Sequence, residues 1–216
     1  MENKEKQLSC FWDKRAEVFD DQVQKIYKNA YKKTIKRSRQ FLRKEDRILE
    51  IGCGTGIVTL PLASCVKEVT AIDASAQMLA AAWEKAETEE KNNIEFQQVS
   101  FKKFQAEKES FDAVTAFNVL HYMKDREKAL DRIYDMLKPG GIFLSATDCL
   151  GRNLSRMSVE KFVKSSLGLM PYVGFETPVG LMRKIQRHGF LVLEIVNLHR
   201  NPPNIFIAAQ KIERKR

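Results

Sequence analysis

Apolar and polar positions change their period several times along the chain, and each change marks an element. From Leu8 to about Leu42 there is no proline or glycine, and Phe11, Trp12, Val18, Phe19, Val23, Ile26, Tyr27 and Ala30 recur every three or four residues, with a break near Asp20-Asp21. That spacing predicts helix. Beyond it, short apolar or β-branched runs alternate with helical patterns. The runs are Ile48–Ile51, Glu68–Asp73, Ile94–Val99, Phe111–Phe117 and Ile142–Asp148. Between them, Ile57–Ala63, Gln77–Ala82 and Asp125–Leu137 carry helix-forming residues, and Pro178–His188 suits a last helix closed by Gly189. Strands separated by helices predict a parallel sheet covered on both faces. The last two runs, Phe190–Asn197 and Ile205–Lys211, are joined only by Leu198–Asn204. That link is too short for a crossover, so this pair must be antiparallel.

The stretch from Arg47 to Ala63 organises the rest. Ile48, Leu49 and Ile51 run straight into Gly52, Gly54 and Gly56. Glycine permits positive φ and lets a ligand approach bare backbone. The loop is not a dinucleotide fingerprint, because Ile57 stands where the third glycine is needed, and it is not a P-loop, because no lysine follows. Asp73 lies 21 residues past Gly52, at the end of the second β-rich run. An acid there is placed to accept hydrogen bonds from ribose hydroxyls. It is also placed, like Ser75, to cap the helix that follows, and the two roles can divide between them.

Composition narrows the class. A chain of 216 residues suits one α/β domain. It has no apolar run near the roughly 20 residues that span a bilayer, and no apolar core of a signal peptide near its start. Cys10, Cys53, Cys65 and Cys149 form no Cys-x-x-Cys pair and no metal spacing with the histidines, so no metal is expected and a reducing, cytoplasmic setting follows. The net charge of +9 is unevenly spread: Met1–Arg47 has 14 Lys/Arg against 8 Asp/Glu, and Lys211–Arg216 has 4 against 1. The middle is balanced. Basic ends are open to a polyanion or to plain solvation, and solvation is the commoner role of such charge runs.

Several stretches resemble one family. Glu50-Ile51-Gly52-Cys53-Gly54-Thr55-Gly56 resembles the first motif of class I S-adenosylmethionine-dependent methyltransferases. Phe111-Asp112-Ala113-Val114 with Leu120-His121, and Leu137-Lys138-Pro139-Gly140-Gly141 before a strand, resemble its later motifs. Phe11-Trp12-Asp13-Lys14-Arg15-Ala16-Glu17-Val18-Phe19-Asp20 is similar to the lead-in of the small-molecule ubiquinone/menaquinone-methylase group (methyltransferase types 11 and 25). The resemblance implies a three-layer Rossmann-like α/β sandwich with a seven-stranded, mostly parallel sheet, an antiparallel last strand and an N-terminal helical lid. Its parts would be a lid over 1–46, a methyltransferase domain over 47–211 with a substrate-cover insertion at 149–178, and a basic tail at 212–216.

By the same resemblance, S-adenosylmethionine would be held by Glu50, Gly52, Cys53, Gly54, Gly56, Asp73, Ala74, Met78, Ser100, Phe101, Phe117 and Asn118. Trp12, Phe19, Tyr27, Tyr31 and Tyr172 would line the acceptor. His121 and Tyr122 would border the reacting group, with His121 either a general base or a shaping residue. The stretch after the third strand lacks the family's acid for the adenine amino group, leaving Ser100 and Phe101 there. The fourth strand is not followed by the Asn/Asp-Pro-Pro-aromatic string of adenine-amino methyltransferases, and Asn201-Pro202-Pro203-Asn204 reads as a turn. The expected acceptor is therefore a small molecule and the chain a monomer or homodimer. RNA- or protein-directed methylation through the basic ends, and binding of S-adenosylmethionine without catalysis, are the rival readings.

Overall fold

A computed structural model of the chain describes residues 2–152 and 156–214. Two compact units divide it, residues 1–105 and 106–216. The first begins with helices α1 (Glu2–Asp13) and α2 (Ala16–Gln22), a π-helical turn at Val23–Tyr27, and α3 (Lys28–Ser38). Strand β1 (Arg47–Ile51), the short helix α4 (Thr59–Ala63), β2 (Glu68–Asp73), α5 (Ala76–Thr88) and β3 (Ile94–Gln98) follow. β1 pairs with β2 in parallel from Arg47↔Glu68, and β2 with β3 from Val69↔Ile94. Ile48, Leu49, Ala71 and Ile72 are buried, as expected of strands covered on both faces.

The N-terminal helical stretch is interrupted at a different place from the one expected. The chain breaks at Lys14-Arg15 rather than at Asp20-Asp21, and the π turn then inserts an extra residue per turn. The helical phase counted through Leu8–Leu42 is therefore wrong for part of the stripe. Val18 and Ile26 are exposed, while Ala16, Val23, Ala30, Thr34 and Ser38 are buried. Small side chains, not the large apolar ones, face inward here.

The second unit holds β4 (Phe111–Phe117), a 3-10 turn at Leu120–Tyr122, α6 (Arg126–Met136), β5 (Leu137–Asp148) and a 3-10 turn at Leu150–Arg152. It continues with α7 (Arg156–Ser166), α8 (Pro178–Arg187), β6 (Phe190–Arg200) and β7 (Pro203–Lys211). β4 and β5 are parallel, and the Lys138–Gly141 turn is an excursion between the pairs Phe111↔Leu137 and Ala113↔Ile142. β7 runs antiparallel to both β5 and β6. The hairpin is tighter than expected. His199↔Asn204 and Arg200↔Pro203 still pair, leaving Asn201-Pro202 as the turn, with a cis peptide bond. Strand order is β3-β2-β1 in the first unit and β4-β5-β7-β6 in the second, seven strands in all.

The basic C-terminal residues are partly structural. Lys211 is buried, and its Nζ donates to the Leu137 carbonyl at 2.6 Å and lies 4.6 Å from the Tyr134 ring centre. The Arg214 guanidinium lies over the same ring, 4.0 Å from its centre, and donates to Asp131 at 2.7 Å. Among the described residues, no helix is long and apolar enough to cross a membrane.

Candidate functional site

In the first unit, the glycine turn is braced from β2. The N–H groups of Gly52 and Cys53 both donate to the Ile72 carbonyl, at 2.8 and 3.1 Å. Gly54 N–H donates to Asp73 Oδ2 at 2.9 Å, and Ser75 N–H to Asp73 Oδ1 at 2.9 Å. Two glycines serve different ends. A Cβ on Gly56 would lie 2.6 Å from Leu60 Cδ1 and 3.2 Å from Ala82 Cβ, so this position is small because α5 packs on it. A Cβ on Gly54 would meet nothing within 4 Å, so the space over this residue is open. Both have positive φ, 56° at Gly54 and 78° at Gly56.

Acids around the turn are held in unusual states. Glu50, at 2% exposure, has its carboxyl pushed up by burial to about 7, with the nearby Thr59 hydroxyl opposing and Asp73 adding to the rise. Its Oε2 is buried without a hydrogen-bond partner. Burial also raises Asp73, against the pull of the Ser75 and Gly54 N–H groups. The Cys53 thiol is pushed well up by burial and stays protonated. Ser75 takes the capping role: its Oγ accepts from Met78 N–H at 3.2 Å, and Met78 is buried beneath it. Ala74 is half-buried between brace and cap. Ser100 Oγ is buried and unpartnered, and Phe101 is buried beside it in sequence.

The N-terminal motif acts through its acids, which the aromatic-centred reading passed over. Asp13 accepts from Ser75 Oγ at 2.6 Å and Gln77 N–H at 3.2 Å, joining the cap of α5. Asp20 accepts from Thr55 Oγ1 of the glycine turn at 2.5 Å and from Lys85 Nζ of α5 at 2.6 Å. Trp12 meets Phe11 and Phe19 edge to face, with centroids 5.2 and 6.0 Å apart. Tyr27 ends the π turn and Tyr31 sits on α3, both half-buried. Acids at the ends of helical turns were the available signal, since an unpaired Asp in such a place commonly caps or pairs.

In the second unit, polar groups gather where β4 and β5 end. Phe117 is buried and Asn118 takes a left-handed φ of 56°. Asn118 N–H donates to the Ala146 carbonyl at 2.7 Å, and its Oδ1 accepts from Asn204 Nδ2 at 2.7 Å. Asn204 also donates to Asp148 Oδ1 at 2.8 Å, and Lys161 Nζ donates to Asp148 Oδ2 at 3.1 Å. Burial would raise the Asp148 carboxyl, but His121, Lys161 and Asn204 outweigh it and hold it below the usual range. His121 is 2% exposed, and burial pushes its imidazole down to about 4, so it is neutral at pH 7. Its Nδ1 is buried without a partner, and Tyr122 lies 4.2 Å away, ring centre to ring centre.

Residues 174–176 reach back to this cluster and to Gly151. Gly174 N–H donates to the His121 carbonyl at 2.7 Å, and Gly151 N–H to the Glu176 carbonyl at 2.9 Å. Gly174 is bare because the Arg126 guanidinium sits against it: a Cβ would lie 2.3 Å from Nη2. Tyr172 is 44% exposed, on the outside of the segment. Asn204 was missed as a functional residue because a Pro-Pro neighbour makes it read as a turn, whereas it opens a buried strand.

Residues 49–145 match the Methyltransferase domain family. The ubiquinone biosynthesis O-methyltransferase of Nitrobacter winogradskyi is 31% identical over 154 residues, covering 68% of this chain and 58% of that protein. The counterpart from Psychrobacter arcticus is 29% identical over 164 residues, covering 72% and 63%. The chain thus spans about three-fifths of the length of these relatives. A chain from the Haloferax volcanii complex of the Trm112 methyltransferase activator superposes with a TM-score of 0.76 at 16% identity, over 94% of this chain and 98% of that one.

Proposed function

We propose that this chain is a class I S-adenosylmethionine-dependent methyltransferase of the type 11 group, and that it moves a methyl group from S-adenosylmethionine to a nucleophilic O, N or C of a small molecule by direct in-line displacement, leaving S-adenosylhomocysteine. The observation that carries this reading is the open space over Gly54, framed by the Asp73 brace. The residues present suit the cofactor. A backbone without a Cβ admits the adenosyl group, Asp73 retains lone pairs for ribose hydroxyls, and the orphaned Glu50 Oε2 is a buried acceptor for a cationic ligand. When bound, the cofactor supplies a methyl group on a sulfonium, already activated toward nucleophiles.

What the protein adds is position. Gly52, Gly54 and Gly56 hold the turn, Asp73 orients the ribose, and Ser75 with Asp13 fixes the start of α5. The helices α1 and α2, tied down through Asp13 and Asp20, exclude water, and alignment with desolvation is worth several orders of magnitude in such displacements. On the acceptor side, His121 stays neutral and so cannot repel a cationic group, and Tyr122 covers its ring. The low affinity of the His121 imidazole for a proton favours a hydrogen-bonding role over that of a strong base. Methylation of small molecules agrees with the ubiquinone-type relatives. The docked Lys211 and Arg214 leave less basic surface for a polyanion than the charge count suggests.

Incubation with methyl-labelled S-adenosylmethionine and a panel of small phenols, amines and carbon acids tests the proposal. Label appearing in a member of the panel, and lost on Asp73→Ala at fixed cofactor concentration, is the expected result. Label found only in RNA or protein would overturn it in favour of a macromolecular acceptor.

A further inference from the structure

We infer that Asp148 anchors the acceptor, that it selects one carrying a positively charged nitrogen, and that Lys161 holds that place until the acceptor arrives. The inference rests on the methyl-transfer reading above and names the class of acceptor within it.

The two oxygens of Asp148 are served by very different elements. Oδ1 takes the Asn204 amide at 2.8 Å, and Asn204 is fixed in β7 and bonded to Asn118 as well. Oδ2 takes the Lys161 ammonium at 3.1 Å, from α7. That helix and the chain after it expose Val159, Val163, Leu167 and Leu169, so among the described side chains little apolar burial holds the stretch down. The Asp148 side chain is 11% exposed and the Lys161 side chain 22%. A buried carboxylate is strongly destabilised when its cation is removed and nothing replaces it. Lys161 can therefore leave only in exchange for another cation; a neutral hydroxyl in its place would leave the charge uncompensated.

A second group completes the seat. His121 Nδ1 is buried without a hydrogen-bond partner, and Asp148 is close enough to influence its titration. With the ring proton on Nε2, Nδ1 accepts. An ammonium guest has N–H groups for both Asp148 Oδ2 and His121 Nδ1. The other nearby cation, Arg126, faces Glu176 at 4.0 Å with its buried Nη1 making no hydrogen bond, and its guanidinium is packed against Gly174. Among the described residues, Lys161 is the cation that bonds the Asp148 carboxylate, and it does so from a helix that exposes Val159 and Val163.

The test uses n-butylammonium chloride as probe, with n-butanol as its neutral analogue and catechol as a neutral aromatic. Melting temperature is followed in the wild type, Lys161→Met and the double variant Lys161→Met/Asp148→Asn. Butylammonium should stabilise Lys161→Met with a half-saturating concentration at least tenfold below that of the wild type. The neutral probes should have no such effect, and the double variant should lose the response. Lys161→Gln serves if Lys161→Met does not fold. An equal response in wild type and both Lys161 variants, or a preference for catechol or butanol, overturns the inference. S-adenosylmethionine titrated into the same proteins keeps the failures apart. Intact cofactor binding without a cation response sinks the anchor alone, whereas no cofactor binding in the wild type sinks the reading beneath it.

Discussion

Glu50 and His121 are buried titratable side chains whose protons move in opposite senses on folding. Glu50 has its carboxyl raised from 4.5 to about 7, so the folded chain keeps a proton that the unfolded chain gives up. Its contribution makes stability fall as pH rises between about 4.5 and 7. His121 is lowered from 6.5 to about 4, so here the unfolded chain takes the proton and stability falls as pH drops from 6.5 toward 4. The two slopes oppose each other over a shared window, and each is worth of order 3 kcal/mol at its far limit. Removing one should expose the other. In thermal melts across pH 4–8, Glu50→Gln should become more acid-sensitive than wild type, and His121→Gln should lose stability more steeply toward neutrality. Identical pH profiles for the two variants would show that these groups do not titrate as buried residues. Neither state was readable from the sequence, because it depends on how completely each carboxyl or ring is enclosed by segments distant along the chain.

At the scale of the element, the glycine turn separates space needed for packing from space left open. Gly56→Ala drives a Cβ into Leu60 and Ala82 at a positive φ, and should cost about 2–4 kcal/mol of stability from overpacking and backbone strain together. Gly54→Ala meets no neighbour and carries only the strain of its φ, about 1–2 kcal/mol. The two should therefore differ in denaturant melts, whereas loss of cofactor affinity per unit of stability lost should be larger for Gly54→Ala. The strand–turn–helix–strand–acid succession from Ile48 to Asp73 was legible because local rules write it: an apolar run, three glycines, then an acid at strand end. The N-terminal helices were legible only as helix. Their break at Lys14-Arg15 and their π turn answer to docking on Ser75, Thr55 and Lys85, and no periodicity within residues 8–42 records those partners. Asp20→Ala should barely change global stability, since in its ion pair with Lys85 the two side chains are 42% and 33% exposed and the pair is worth at most about 1 kcal/mol. It should raise the rate of proteolytic cleavage within α2 several-fold; an unchanged rate would mean that Asp20 does not hold the helix down.

For the whole molecule, order of motifs, sheet topology and terminal hairpin agree, and the antiparallel β7 follows directly from the short connection read at Leu198–Asn204. The charge surplus was the misleading global feature, since counting cannot show that Lys211 is spent on the Leu137 carbonyl. Lys211→Met should leave that carbonyl unanswered and lower stability by about 1–3 kcal/mol, read from urea midpoints. The central claim concerns the glycine turn and its acid. Calorimetric titration of clean protein with S-adenosylmethionine, and separately with S-adenosylhomocysteine, tests it most directly. Saturable heat at one ligand per chain, weakened roughly tenfold or more by Asp73→Ala through loss of a buried hydrogen-bonding partner, is the predicted result. No heat with either compound would contradict the account.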